Sequence, residues 1–216
     1  MVIENYKTKG NKYITEYAQY FSGWSPNSLT LLSFMFAALS FASFILVRYI
    51  SFYFLFLCSV LILFAGFFDI MDGAVARISE KTSAKGDLLD HVLDRYSDLI
   101  IMAGFAISGL TNIYLVFFSM IGVLLTSYMG TQAQALGLNR LYSGFLTRAD
   151  RLILFILFSF IEFIMLIPLF PYHYFILNGI HVTILDVLFV FLAIGSNFTA
   201  IQRFYIIWRH LPNRPL

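Results

Sequence analysis

Six apolar stretches, each near the length of a membrane-spanning helix, constrain this chain more than any other feature. They cover residues 28–47, 50–78, 87–109, 112–136, 150–169 and 184–208. A helix needs about 20 apolar residues to cross the hydrocarbon layer of a bilayer. Hydrophobic residues make up 60% of the 216 positions, more than a soluble domain of this size can bury. The sequence therefore predicts an all-α integral membrane protein with six transmembrane helices.

The spacing of these stretches leaves no room for a separate soluble domain. We expect three parts, which are an N-terminal interfacial segment at 1–27, a six-helix domain at 28–208 and a cytoplasmic tail at 209–216. Within the first part, residues 11–21 place Tyr13, Tyr17, Tyr20 and Phe21 at helical spacing. This pattern predicts an amphipathic helix on the membrane surface, with a loose solvated arm as the alternative. The Ser25-Pro26-Asn27 sequence predicts the start of the first span.

Basic residues concentrate on one side of the predicted spans. With the N-terminus inside, that side carries Lys7, Lys9, Lys12, Arg77, Lys81, Lys85, Arg140, Arg148, Arg151, Arg203, Arg209 and Arg214. The loops of the opposite side contain a single basic residue, Arg48, and Arg95 falls within the third span. Because Lys and Arg favour the cytoplasmic side, both termini are predicted to be cytoplasmic, in the cell membrane.

Six of the twelve acidic residues are aspartates that fall within thirty positions. They are Asp69, Asp72, Asp87, Asp90, Asp94 and Asp98. A charge at the centre of a transmembrane helix costs on the order of 3 kcal/mol, so this density needs an explanation. At a rise of ~1.5 Å per residue, the second span leaves the hydrocarbon near residue 69 and the third enters it near residue 88. Both groups of aspartates are therefore expected at the cytoplasmic edge of the membrane.

The spacing of the aspartates indicates a metal site. Asp69 and Asp72 are three residues apart, and Asp90 and Asp94 are four apart, so each pair shares one face of its helix. Converging carboxylates repel each other unless cations lie between them, and such oxygen ligands suit Mg²⁺, Mn²⁺ or Ca²⁺. Two divalent ions would balance the four charges and leave positions for phosphate oxygens. The pattern predicts chemistry on a diphosphate.

A structural interpretation competes with the metal site. The aspartates would then form ion pairs at helix ends with Arg77, Lys85 and Arg95. Asp87, next to Gly86, is either the N-cap of the third span or part of the cluster. We expect Asp98 to pair locally with Arg95, three residues before it.

The complete motif resembles a family signature. It reads Asp69-Ile-Met-Asp72-Gly73-Ala-Val-Ala76-Arg77, then eight residues, Gly86, three residues, Asp90, three residues and Asp94. All eight specified residues are similar to those of the CDP-alcohol phosphotransferase family, as is the Ser25-Pro26-Asn27-Ser28-Leu29-Thr30 segment. The resemblance implies a homodimeric phospholipid synthase that transfers the phosphatidyl-type group of a CDP-linked lipid to an alcohol. The lipid is CDP-diacylglycerol or CDP-archaeol, and CMP is released.

The resemblance also implies roles for the residues of the motif. Asp69, Asp72, Asp90 and Asp94 would hold metal ions, Mg²⁺ or Mn²⁺ and two in number, with Asp94 as the base. The expected residues for CDP-lipid binding are Asp69, Asp72, Gly73, Ala76, Arg77 and Gly86. Independently of the family, glycine permits close approach to the backbone, and an arginine fork matches diphosphate oxygens.

The acceptor alcohol is predicted from arginines later in the chain. Arg148 and Arg151 share a helix face and would clamp a phosphate, with Arg203 toward the inner end of the sixth span. Ordinary positive-inside residues are the alternative. The Arg-x-x-Arg-Leu pattern resembles the inositol-phosphate-using branch, although Thr131, Gln132 and Gln134 stand where that branch has a basic residue. Inositol phosphate is the expected acceptor, and glycerol phosphate, serine or another alcohol remain alternatives.

Two other classes of membrane protein also use aspartates within spans. A prenyltransferase would need two separated Asp-rich motifs, and a cation transporter would need a site at the bilayer centre with an inverted repeat. Neither pattern is found, and Glu162 alone does not indicate an ion pathway. We expect the partners to be the CDP-linked lipid, a small polar alcohol, membrane lipid and a second copy of the chain, without nucleic acid.

Overall fold

Helices account for nearly all of the regular structure. The computed structural model describes residues 14–80, 82–139, 144–167, 175–177 and 180–211. Residues 14–20 are helical. The long helices of the described part are α1 Pro26–Tyr49, α2 Phe54–Ile78, α3 Ala84–Ser108, α4 Ile113–Ala135, α5 Arg148–Leu166 and α6 Ile184–His210. Each predicted apolar stretch therefore corresponds to one helix.

Several residues used in the predictions lie outside the described part. They are Lys7, Lys9, Lys12, Tyr13, Lys81, Arg140 and Arg214. The same holds for residues 1–13 of the expected interfacial segment and residues 212–216 of the expected tail.

Within the described residues, four helices have the length and apolar composition of membrane spans, namely α1, α2, α4 and α6. The coarse prediction of a helical multi-pass membrane protein is thus supported. The helix α3 carries four of the aspartates, and the 19 residues of α5 include four charged side chains. Their membrane crossing stays a prediction.

A short hairpin precedes α6 and was not predicted. Its strands are β1 Phe175–Leu177 and β2 Ile180–Val182, which pair antiparallel with Ile176 opposite His181. Strands of three residues are too short to show an alternating pattern in the sequence. The hairpin is an addition to a fold that is otherwise helical in the described part, so the prediction of an all-α fold class is confirmed.

Caps define where the helices begin. Ser25 caps α1, since its side chain accepts a hydrogen bond from the amide of Ser28 at 3.1 Å. At α3 the cap is Ser83, which accepts from the amide of Gly86 at 3.1 Å. The prediction that Asp87 caps this helix is wrong, because Asp87 lies inside the first turn.

A cluster of phenylalanines joins four helices in the core. The ring of Phe105 on α3 lies 4.4 Å from that of Phe44 on α1, measured between centroids. It also lies 5.5 Å from Phe155 on α5 and 5.3 Å from Phe189 on α6. All four side chains are fully buried. This contact fixes α3 among its neighbours near the C-terminal end of the helix, away from the aspartates.

Hydrogen bonds from side chains to the main chain connect α4 to α6. Ser119 donates to the carbonyl of Phe189 at 2.9 Å, and Thr126 donates to that of Ser196 at 2.9 Å. Arg203 of α6 donates in turn to the carbonyl of Thr126 at 2.8 Å. Interhelical hydrogen bonds of this kind are common in membrane helix bundles. They set the position of Arg203.

The N-terminal helical segment packs with one face on the bundle. Ala18 is fully buried against a cluster that includes Leu29 and Met71. Tyr20 is 84% exposed on the other side, and Tyr17 and Trp24 are also exposed. Residues 14–20 are thus a helix with one face on the bundle, and the amphipathic helix on a membrane surface stays a prediction.

Candidate active site

The aspartates of α2 and α3 converge at one end of the bundle. Carboxylate oxygens of Asp69, Asp72 and Asp90 lie within 4.8 Å of one another. A second group with the same spacing consists of Asp90, His91 and Asp94. The four aspartates that the sequence singled out are therefore brought together. Oxygen ligands at this separation fit a hard divalent cation, so the residues present suit the expected metal ions.

A cavity of about 230 Å³ opens beside the first group. It is lined by Pro26, Asn27, Thr30, Asp72, Gly73, Ala76, Arg77, Thr82, Ser83, Gly86, Asp87 and Asp90. We call it the nucleotide cavity. The residues predicted to bind the CDP-linked lipid, apart from Asp69, all line it, and so does the start of α1.

Gly86 permits the closest approach in the wall of the nucleotide cavity. A Cβ atom at this position would lie 3.1 Å from Oδ1 of Asn27 and 3.2 Å from Oγ of Ser83. At Gly73 an added Cβ would lie 3.5 Å from an Nη1 atom of Arg77, an ordinary contact. Of these two glycines, only Gly86 is closely restricted by its neighbours, so a side chain there would displace Asn27 or Ser83 by a few tenths of an ångström.

A second cavity, of about 370 Å³, lies on the other side of Asp94. Its lining consists of Asp87, His91, Asp94, Arg95, Asp98, Thr126, Ser127, Gly130, Leu146, Thr147, Arg148, Arg151 and Arg203. We call it the arginine cavity. Asp87 borders both cavities. The structure therefore brings Arg148, Arg151 and Arg203 to one cavity, next to the carboxylate expected to act as base.

Arg148 contacts the aspartate cluster directly. Its Nη1 atom donates to Oδ1 of Asp69 at 2.5 Å and lies 2.9 Å from Oδ1 of Asp94. The competing interpretation placed Arg77, Lys85 and Arg95 in such pairs. An arginine from α5 takes this role, 79 residues beyond Asp69 in the chain. No local spacing in the sequence marks that contact.

Arg151 pairs with Asp98. Its Nη2 atom donates to Oδ2 of Asp98 at 2.5 Å, and both side chains are 4% exposed. We expected Asp98 to pair with Arg95 of its own helix, but the ion pair in the structure connects α3 to α5. Arg95 donates instead to the carbonyl of His91 on its own helix. The i,i+4 series from Asp90 through Asp94 to Asp98 is the sequence signal that places Asp98 on this face.

His91 is a site residue that the sequence interpretation missed. Its Nε2 atom lies 3.4 Å from Asp87 and its Nδ1 atom 3.7 Å from Asp90. The four-residue spacing from Asp87 was the available signal. Glu162 is buried and lines neither cavity.

These features place an acidic cluster suited to divalent cations between two cavities that are both lined by charged side chains. The sequence profile of CDP-alcohol phosphatidyltransferases matches residues 24–192. The chain therefore belongs to the CDP-alcohol phosphatidyltransferase family. It is a metal-dependent transferase of phospholipid biosynthesis that transfers the phosphatidyl-type group of a CDP-linked lipid to an alcohol and releases CMP. The reaction class predicted from the motif is confirmed.

Three characterised relatives share about a third of their aligned residues with the chain. The archaetidylinositol phosphate synthase of Pyrococcus horikoshii is 33% identical over 137 residues, 63% of this chain and 70% of that protein. The enzyme of the same name from Methanothermobacter thermautotrophicus is 32% identical over 147 residues, 68% of this chain and 67% of that protein. A phosphatidylinositol phosphate synthase of Streptomyces avermitilis is 31% identical, covering 63% of this chain and 55% of that protein.

Solved structures of one enzyme share the fold. Phosphatidylinositol phosphate synthase of Mycobacterium tuberculosis with CDP-DAG bound superposes with a TM-score of 0.72 at 23% identity. The match covers 95% of this chain and 100% of the other. The same enzyme in complex with manganese and citrate gives a TM-score of 0.71 at 24% identity, covering 90% of this chain and 88% of the other. At this identity the likeness establishes the fold alone.

Proposed function

We propose that the chain transfers the phosphatidyl-type group of CDP-diacylglycerol or CDP-archaeol to inositol phosphate. The observation that carries this proposal is the arginine cavity beside Asp94. Four arginines line it, namely Arg95, Arg148, Arg151 and Arg203. Arginine forks are well suited to phosphate oxygens, so a phosphorylated acceptor fits this cavity better than a neutral alcohol. The archaetidylinositol phosphate synthases and the phosphatidylinositol phosphate synthase among the relatives support the same acceptor.

Buried donors strengthen the case for an anionic acceptor. The Nε atoms of Arg148 and Arg151 are buried and have no hydrogen-bond partner within the described part of the chain. A buried guanidinium is unfavourable without nearby acceptors, and a phosphate in the cavity would bring acceptor oxygens next to these two side chains. Arg203 is held in place by its hydrogen bond to the carbonyl of Thr126. Together they form the proposed acceptor-phosphate site.

The four aspartates are the proposed ligands of the metal ions. We assign two divalent ions, Mg²⁺ or Mn²⁺, to Asp69, Asp72, Asp90 and Asp94. When bound, such ions stabilise negative charge on phosphate oxygens and lower the pKa of a coordinated hydroxyl. The separation of the carboxylate oxygens, within 4.8 Å in each of two groups, supports this assignment.

The nucleotide cavity is proposed to bind the CDP part of the lipid. Gly73, Ala76 and Gly86 leave space along its wall, and the exposed Arg77 faces the same cavity. We assign Arg77 to the diphosphate, because its guanidinium offers paired donors. Asp69 and Asp72 contribute through the bound metal ions.

Asp94 is proposed to accept the proton from the acceptor hydroxyl. It borders the arginine cavity, whereas Asp90 borders the nucleotide cavity. In a direct displacement, the acceptor oxygen bonds to the phosphorus that carries the lipid, and the bond from this phosphorus to the oxygen of CMP breaks. The hydroxyl proton passes to the Asp94 carboxylate. Arg148, 2.9 Å from Asp94, orients that carboxylate.

The proposed topology has six spans, with α3 and α5 crossing beside the four apolar helices. We keep the division into an interfacial segment at 1–27, a catalytic domain at 28–208 and a tail at 209–216. Basic residues on one side support cytoplasmic termini in the cell membrane, with the active site on the cytoplasmic side. A homodimer is part of the proposal, supported by the family resemblance.

Release of CMP by the purified protein tests the proposed reaction and its acceptor. The assay contains CDP-linked lipid, Mg²⁺ and one acceptor at a time, chosen from inositol phosphate, glycerol 3-phosphate, serine, inositol and glycerol. Release with inositol phosphate alone is the expected result. Release with inositol but not with inositol phosphate would contradict the acceptor assignment and leave the reaction class intact.

The variant Asp94→Asn tests the base in the same assay. We expect a loss of about 10²-fold to 10⁴-fold in CMP release, the usual contribution of a general base. Binding of CDP-linked lipid is measured separately, so that a loss of binding is not mistaken for a loss of catalysis. Full turnover by this variant would remove Asp94 from the mechanism.

A further inference from the structure

Asp98 has no role in the family motif or in the proposed displacement. It lies one helical turn beyond Asp94 on α3 and lines the arginine cavity, not the nucleotide cavity. Its side chain is 4% exposed. Burying a carboxylate is unfavourable unless charged or hydrogen-bonding groups compensate it, so its contacts explain how it is kept in the cavity wall.

Asp98 contacts both arginines of the first turn of α5. Its Oδ2 atom accepts a hydrogen bond from Nη2 of Arg151 at 2.5 Å. Its Oδ1 atom lies 3.7 Å from Nε of Arg148. The two guanidinium groups are thus held by one carboxylate, although Arg148 also reaches Asp69.

The groups around Asp98 still have unused hydrogen-bonding capacity. Within the described part, Oδ1 of Asp98 and the Nε atoms of Arg148 and Arg151 are buried without a hydrogen-bond partner. Arg151 is itself 4% exposed. A guanidinium offers five N–H donors in a fixed plane, so fixing one nitrogen fixes the direction of the others. The orientation of the Arg151 guanidinium in the cavity wall therefore depends on Asp98.

We propose that Asp98 is a positioning residue for acceptor binding, which holds Arg151, and through it the adjacent Arg148, in the orientation that binds a phosphate group. This inference rests on the proposed function of the arginine cavity. Asp98 contacts neither the aspartates that hold the metal nor the proposed path of the proton. Its removal should therefore affect acceptor binding far more than binding of the CDP-linked lipid.

The test compares Asp98→Asn and Asp98→Glu with wild type. Asp186→Asn is a matched control, because Asp186 accepts hydrogen bonds from Thr111, Asn112 and Thr183 and lines neither of the two cavities at the active site. The measurements are the KM of inositol phosphate, the KM of CDP-linked lipid, the inhibition constant of inorganic phosphate and the Tm. Inorganic phosphate probes the cavity without the rest of the acceptor.

For Asp98→Asn we expect the acceptor KM and the phosphate inhibition constant to rise together by at least about tenfold, as for loss of a buried charge partner. The KM of CDP-linked lipid should change by less than about twofold. Asp98→Glu keeps the charge but moves it, so intermediate values are expected. Asp186→Asn should lower the Tm and leave the two KM values and the phosphate inhibition constant as in wild type.

An unchanged acceptor KM in Asp98→Asn would overturn the inference, as would an equal rise in Asp186→Asn. If Asp98→Asn does not fold, Asp98→Glu decides, and a KM like that of wild type overturns the inference. If wild-type protein uses inositol phosphate and Asp98→Asn has the wild-type KM for it, the inference about Asp98 is wrong and the proposed function stands. If wild-type protein neither uses inositol phosphate nor is inhibited by inorganic phosphate, the proposed acceptor is wrong. The inference about Asp98 is then wrong with it.

Discussion

Arg148 and Arg151 lie one helical turn apart and contact different carboxylates. Arg148 reaches Asp69 and Asp94, while Arg151 is held by Asp98. If the two arginines clamped a phosphate as a pair, as the sequence predicts, their side chains would have similar environments. In the structure their environments differ, since Arg148 is 22% exposed and Arg151 is 4% exposed. Loss of Arg151 should therefore act on acceptor binding, and loss of Arg148 should also disturb the metal ligands.

The exchange Arg151→Gln should raise the KM of inositol phosphate by about 10-fold to 100-fold, since a charge-assisted contact to phosphate is lost. The KM of CDP-linked lipid should stay within about twofold. Arg209→Gln is the matched control, because Arg209 is exposed at the end of α6 and lies over the ring of Tyr205. Steady-state kinetics with each substrate varied in turn provide the measurement. Equal effects of the two exchanges would point to general surface charge and against a specific site.

Chelation of divalent cations should abolish CMP release, and added Mn²⁺ or Mg²⁺ should restore it. The physical reason is that Asp69, Asp72 and Asp90 converge within 4.8 Å and need cations to compensate their charges. In Asp72→Asn the half-saturating metal concentration should rise by about tenfold or more, since a direct ligand is lost. Manganese binding followed by electron paramagnetic resonance checks this independently of turnover. Metal binding by Asp72→Asn equal to that of wild type would contradict the ligand assignment.

Close packing between helices depends on small residues at particular points. Gly104 of α3 lies against Phe44 of α1, and an added Cβ would come within 2.4 Å of the ring. Phe44 is fully buried and contacts Phe105, so its ring has little freedom to move. This contact keeps α1 next to α3, and the start of α1 forms part of the nucleotide cavity.

The variant Gly104→Ala should be less stable than wild type by about 1–3 kcal/mol, the usual cost of overpacking. Gly66→Ala is the control, because its Cβ would meet only a side-chain atom of Leu152, at 3.7 Å. There the higher helix propensity of alanine should leave stability equal or raised by up to about 1 kcal/mol. Thermal unfolding in detergent, followed by loss of native fluorescence, compares the two. A Gly104→Ala protein as stable as the control would mean that α1 moves away without cost.

The whole molecule combines four helices that are apolar enough to span a membrane with two helices, α3 and α5, that carry more charge. Asp90, Asp94 and Asp98 of α3 and Arg148 and Arg151 of α5 meet Asp69 and Asp72 of α2 at the active site. Charges there are compensated by one another, which makes it feasible for both helices to cross a bilayer. Asp90 and Asp94 would then lie at the cytoplasmic edge.

Cysteine labelling tests this topology in a Cys58→Ala background, since Cys58 is the only cysteine of the chain. Single cysteines at Glu80 and Asn139 should react from the cytoplasmic side, and those at Tyr114 and His181 from the outside. Glu80 and Tyr114 flank α3, and Asn139 and His181 flank α5, the two helices whose membrane crossing is a proposal. An impermeant maleimide applied to intact cells and to inverted vesicles gives the side of each position. Labelling of Glu80→Cys and Tyr114→Cys from the same side would rule out a crossing by α3.

Local patterns in the sequence were enough to predict the helices and the four aspartates of the site. The apolar stretches report directly on helices because membrane spans require continuous apolar sequence. The spacing of Asp69 and Asp72, and of Asp90 and Asp94, reports which residues share a helix face. The hairpin was missed because its strands are too short to leave a pattern. Asp87 was one candidate for the cap of α3, and Ser83 is the cap in the structure.

The sequence by itself determined the six helices, the acidic cluster and the class of reaction, since each depends on residues close together in the chain. Tertiary structure decided the partners of the arginines. Arg148 reaches Asp69 across 79 positions, and Arg151 reaches Asp98 across 53. Helical periodicity specifies which face a residue occupies, but the facing helix is chosen by packing, here by the contact of Phe105 with Phe44, Phe155 and Phe189. The arginine cavity exists only once α3, α4, α5 and α6 are assembled.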